Sequence, residues 1–110
     1  MHIVNRETFL DMPAGTLFAT YEPHVAGELM LFEGRCGESD FVYQPLIDWP
    51  EDCTNSEQWV NAMERAVATG EPTAPMDFTG TTRDGMFDED QLFLVFEPIE
   101  KERLIRRLQG

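Results

Sequence analysis

Residues 16–46 read TLFATYEPHVAGELMLFEGRCGESDFVYQPL, and this stretch decides the fold class. Thr16–Glu22 alternates Leu17, Ala19 and Tyr21 with Thr16, Phe18 and Thr20, the two-residue period of a strand. Residues 23–27 hold Pro23 and Gly27 and read as a loop. Glu28–Glu33 is a second strand, turned by Gly34–Gly37, and Asp40–Leu46 is a third. Pro45 has no amide to donate to a ladder, so it predicts an edge or the end of that strand. Three consecutive strands with short links imply an antiparallel meander, because a parallel pair needs a long crossover.

Upstream, residues 2–4 suit a short strand or lead-in. Asn5 can cap a helix over 6–11 that turns Phe9 and Leu10 inward and stops at Pro13-Ala14-Gly15. Downstream, residues 55–69 form the clearest helix. Thr54 with Glu57 reads as a capping box, and Trp59, Ala62, Met63, Ala66 and Val67 make one apolar stripe, with Gly70 as the stop. Residues 71–85 read as loop. Gln91–Glu97 is an apolar run of strand length and reads as a central strand. Pro98 suits the first turn of a closing helix over 98–108, whose apolar residues are Ile99, Leu104, Ile105 and Leu108 and whose last turn holds Arg106 and Arg107. The expected fold is α+β: a small antiparallel sheet of about four strands with two to three helices packed on it. The 110 residues are expected to form a single domain.

Twenty-one acids against eight bases give a net charge of −13. The last ten residues carry Lys101, Arg103, Arg106 and Arg107 against Glu102, a net of +3, so the first hundred carry −16. Such a body repels nucleic acid and anionic membranes and attracts basic surfaces. Acidity that serves only solubility is the plain alternative. Cys36 and Cys53 match no zinc spacing and are expected as free thiols in a reducing compartment. The N-terminal segment does not read as a signal peptide, and no apolar run reaches bilayer length.

The chemistry-bearing stretch is residues 76–97, MDFTGTTRDGMFDEDQLFLVFE. It sets Asp77, Asp84, Asp88, Glu89 and Asp90 around Arg83, the only base between Arg65 and Lys101. The acid spacing departs from a calcium loop, and Asp84-Gly85 and Asp88 suit turns, so no metal is expected. Arg83 reads first as an internal ion pair, with Asp77 or Asp88. Its functional reading is a fork onto a ligand phosphate or carboxylate, with Thr79, Thr81, Thr82 and glycine amides as neutral donors. Among the aromatics, Tyr43 and Trp49 could line a pocket or interface, with Trp49 beside Pro50 the better anchor and Trp59 a core residue. His2 and His24 are isolated, and no nucleophile, metalloprotease, phosphate-loop or dinucleotide motif occurs. The expectation is a non-catalytic protein without a cofactor.

The blocks FLDMPAGTLFATYEP, GELMLFEG, DFVYQPL and MDFTGTTRDGMFDEDQLFLVFE, together spanning about Phe9–Glu97, resemble a group of small acidic proteins encoded by bacteriophages and prophages. The resemblance implies a bacterial cytoplasm and an accessory role, with inhibition of a host defence system by binding as the expected function. One route is an acidic decoy that occupies the basic surface of a defence factor, as some anti-CRISPR proteins do. Another is a sponge that holds a nucleotide-like immune signal near Arg83. A phage structural or housekeeping accessory is the third. Under any of these, a strand edge or the Trp49 loop could support a homodimer.

Overall fold

The computed structural model describes residues 1–110. Ten elements follow in order: β1 His2–Val4, α1 Arg6–Leu10, β2 Leu17–Glu22, β3 Val25–Ala26, β4 Met30–Cys36, β5 Asp40–Pro45, α2 Ser56–Thr69, β6 Thr82–Arg83, β7 Leu92–Val95 and α3 Pro98–Gln109. The fold is α+β, and every pairing in its sheet is antiparallel. The sheet has seven strands, not about four. The order is β1-β7-β2-β4-β5-β6, with β3 added to β2. The extra strands are the short ones. Val25–Ala26 returns along β2 within the stretch expected as loop, and Thr82–Arg83 pairs with β5 within the 71–85 loop. Two-residue strands have no periodicity to read. Pro45 is the last residue of β5.

The chain divides into two compact units, Met1–Leu46 with Thr81–Gly110, and Ile47–Gly80. The first contains the whole sheet, α1 and α3. β7 lies between β1 and β2, so the most apolar run is a central strand, as its composition predicts. Its residues alternate buried Phe93 and Val95 with half-buried Leu92 and Leu94.

One core cluster organises this unit: Phe9, Leu10, Phe18, Phe32, Phe41, Phe93 and Val95. Phe9 sits at its centre. Its ring stacks on Phe93 at 4.0 Å and meets Phe18, Phe32 and Phe41 at 4.6, 4.9 and 5.1 Å. A five-residue helix is unstable alone. α1 persists because Asn5 Oδ1 accepts the Thr8 amide at 2.9 Å and because Phe9 is fully buried. Phe18 is a core residue, and the alternation of β2 is not matched by alternating burial at its start. Leu17, Phe18 and Ala19 are all buried, so both faces of that strand are covered at its start. Phe18 joins the phenylalanine cluster, and Leu17 lines a groove beside α3.

The second unit is built on α2. The cap is Asn55, not Thr54: its side chain accepts the Gln58 amide at 2.8 Å, while Gln58 Oε1 accepts from the Thr54 amide and hydroxyl. Asparagine at the extended residue before the first turn is the stronger cap, so the cap lies one residue beyond Thr54, and no reciprocal box forms. Gly70, at φ +71°, ends the helix in the left-handed region that glycine enters freely. Trp59, Ala62, Met63 and Ala66 are half-buried, and Val67 is exposed. Residues 48–51 run against 75–77 through the Glu51 amide to Pro75 carbonyl bond and the Asp77 amide to Trp49 carbonyl bond, both 2.8 Å.

Candidate functional site

Asp40 opens β5 and is buried to 1% exposure. A buried carboxylate must be paired and hydrogen-bonded to be tolerated. Here Oδ1 accepts the backbone amides of Phe41 and Gly85, both at 2.9 Å, and Oδ2 accepts from Arg83 Nε. Arg83 is delivered by β6, whose register sets it opposite Val42 and Thr82 opposite Tyr43. Arg6 comes from the first turn of α1. Its Nε and Nη2 donate to the Ser39 carbonyl at 3.0 and 2.6 Å, and Nη2 also donates to Asp84 Oδ2 at 3.2 Å. Arg6 Nη2 lies 3.8 Å from Asp40, and its guanidinium covers the Phe41 ring at 5.4 Å. The result is an alternating cluster, Asp84–Arg6–Asp40–Arg83, tied at its inner end to the aromatic core.

Burial pushes the Asp40 carboxyl up, but the Arg83 hydrogen bond, the two amides and the Arg83 charge outweigh it and hold it below the ordinary aspartate value. The same bond raises Arg83. Tyr43 is raised, first by burial and then by the charges of Asp84 and Glu28.

The cluster is the base of a loop. Gly85, at φ +65°, turns the chain with its amide fixed to Asp40. At the far end the Gln91 side-chain amide donates to the Tyr21 carbonyl at 3.1 Å and the Leu92 carbonyl at 2.8 Å. Residues 86–90 are all exposed. Met86 is 76% and Phe87 50% accessible, and Phe87 holds φ +52°, a conformation that bulky residues rarely adopt. Asp88 Oδ1 accepts the Asp90 amide at 3.0 Å, closing an Asx turn. Beside the tip, Glu7, Glu38 and Glu89 line a concavity of about 340 Å³ with Arg6 and Arg35.

No family model matches the chain, and neither the characterised proteins nor the solved structures searched contain a similar one.

The residues singled out in the sequence therefore fall into three groups. Arg83, Asp84, Thr82 and Tyr43 meet at the base, with Thr81 exposed just before β6. The partner of Arg83 is Asp40, rather than Asp77 or Asp88. Asp88 and Asp90 form the turn of the tip. Asp77 and Trp49 belong to the second unit. There Asp77 Oδ1 accepts from the Thr79 amide and hydroxyl and the Gly80 amide, which lowers its carboxyl, and Trp49 is half-buried with its ring on Trp59 at 5.6 Å. No three His, Cys, Asp or Glu side chains are grouped as metal ligands. Arg6, Asp40, Met86 and Phe87 escaped the sequence reading. Arg6 and Asp40 look like surface charges in one dimension. Met86-Phe87 did leave a signal, an apolar pair inside an otherwise polar loop.

Proposed function

We propose that the protein acts without catalysis, by presenting the 85–91 loop and the acidic surface around it to a basic protein surface. The phage resemblance makes a bacterial defence factor the partner of choice. One observation carries the reading: the loop is held at both ends while its tip offers an exposed phenylalanine, an exposed methionine and the acids Asp88, Glu89 and Asp90. Exposed aromatics on a rigid support are the usual energetic centres of protein interfaces, and strained backbone at a surface loop marks sites held for use. The surrounding charge agrees. Only Asp40, Asp48, Asp77, Asp84, Glu97 and Glu100 among the acids are half-buried or buried, and the others are exposed. The acids steer a cationic surface in, and Phe87 supplies contact area once it arrives.

The nucleotide-sponge alternative has less support. Arg83 Nε is engaged by Asp40, and Asp84 is held by Arg6, so part of the group expected to meet a phosphate already serves the interior. An anionic ligand would also enter against the acidic field.

The test is capture from a bacterial lysate by three forms: wild type, Phe87→Ala, and a variant with Asp88, Glu89 and Asp90 changed to amides. The expected result is a protein retained by the wild type, lost from both variants, released by raised salt and displaced by double-stranded DNA. Retention by both variants would remove the loop from the account. A melting-temperature rise with a cyclic nucleotide, abolished in Arg83→Ala, would establish the sponge instead.

A further inference from the structure

We infer that Met86 is a site of reversible oxidation: a hydroperoxide converts its thioether to the sulfoxide, and the polar product releases the partner of the 85–91 loop while the fold stands. The switch presupposes the docking role of that loop. It follows from how unequally the chain protects its six methionines. Met12 and Met30 pack against the phenylalanine core. Met63 is half-buried on α2. Met76 is half-buried too, and its Sδ accepts the Asp48 amide at 3.0 Å, which occupies a sulfur lone pair. Met1 and Met86 are open, at 65% and 76% exposure, and of the two only Met86 stands in the docking tip.

The backbone on either side fixes where this thioether meets solvent. The Gly85 amide is bound to buried Asp40, and the Met86 amide donates to Asp84 Oδ2 at 3.3 Å. Phe87 follows at φ +52°. Oxidation therefore changes the chemistry of a contact point whose place is already set.

The step is a two-electron oxygen transfer. A sulfur lone pair attacks one oxygen of hydrogen peroxide, the S–O bond forms as the O–O bond breaks, and the other oxygen leaves as water after taking the proton of the oxygen transferred. Sulfur is oxidised and the peroxide is reduced. Charge selects the oxidant. A chain of net charge −13, with Asp88, Glu89 and Asp90 close to the thioether in sequence, repels anionic oxidants and admits a neutral one. The sulfoxide is polar, so burying it against a partner costs free energy where the thioether gained it, whereas in water it leaves the fold undisturbed.

Peptide mass mapping after timed exposure to hydrogen peroxide reads the site without any partner. Met86 should convert several-fold faster than Met12, Met30, Met63 and Met76, with an unchanged melting curve. Capture from a bacterial lysate, after the peroxide is removed, reads the consequence. The protein retained by the untreated chain should be lost. It should stay lost under dithiothreitol, which reverses only thiol oxidation at Cys36 and Cys53, and return after treatment with methionine sulfoxide reductase. Met86→Gln, polar and of similar length, should show the same loss without peroxide. Conversion of Met86 no faster than that of the half-buried methionines would overturn the site, whatever the partner. Retention by the oxidised chain or by Met86→Gln would overturn the switch. An untreated chain that retains nothing would overturn the loop's docking role, and the switch with it, while the mapping still decides the site.

Discussion

The base and the tip of the 84–91 loop differ by only a few residues in sequence, yet they obey opposite rules. At the base, Asp40, Arg6, Arg83 and Asp84 are charged groups that satisfy one another, and Asp40 is as buried as the phenylalanines beside it. At the tip, Met86 and Phe87 are apolar groups left facing water. Polarity and burial are inverted in both places. The difference teaches that charge here does structural work where it is hidden, and that the surface available for binding includes the apolar residues that the interior did not take.

The largest effect should come from below the base. Phe9 holds α1, and so Arg6, against the core, and Phe9→Ala should cost about 3–5 kcal/mol in a denaturant melt. Asp40→Ala should come next. It leaves Arg83 unpaired and the Gly85 amide without its acceptor, so the melting temperature should fall clearly while Phe87→Ala leaves it alone.

The acid response follows from the same carboxylate. Because the folded Asp40 titrates below the ordinary aspartate value of about 3.9, the unfolded chain binds more protons between the two values. Its stabilisation is complete above the ordinary value and is lost as pH falls through that value to the lower folded one. Asp77 and Glu100 act in the same direction, so the measurement is the difference between wild type and Asp40→Asn in acid melts, where the variant should lose less stability as pH falls below about 4.

A smaller effect is expected at the junction. Gly85→Ala places a Cβ at φ +65° in open space, so only backbone strain opposes it, about 1–2 kcal/mol by thermal melting. The smallest stability effect belongs to the tip. Phe87→Ala should change stability by less than about 0.5 kcal/mol, while the partner captured by the wild type is lost.

Much of this fold was legible in one dimension. The β2–β4–β5 meander, α1 with its Asn5 cap, α2 with Gly70, and β7 as a central strand all carry periodicity or turn chemistry that a window of residues can register. β3 and β6 are two residues each and exist only because a neighbour offers a ladder. The insertion of β7 between β1 and β2 is likewise a property of closure, not of any local stretch.

The site divides in the same way. Arg83 announced itself as a lone base among acids, but nothing local could select Asp40, forty-three positions away, over Asp77 or Asp88. Ion pairs are chosen by which backbone segments the sheet brings together. The two-residue alternation of β2 shows two faces but not that both are covered, as they are at Leu17, Phe18 and Ala19.

Amide hydrogen exchange across residues 84–91 tests the central claim most directly. If Asp40 fixes the base and leaves the tip free, the Gly85 amide should be protected in the wild type while those of Phe87 and Glu89 exchange almost as fast as in an unfolded chain, and Asp40→Ala should bring Gly85 down to their rate. A Gly85 amide that exchanges as fast as the tip in the wild type would contradict it.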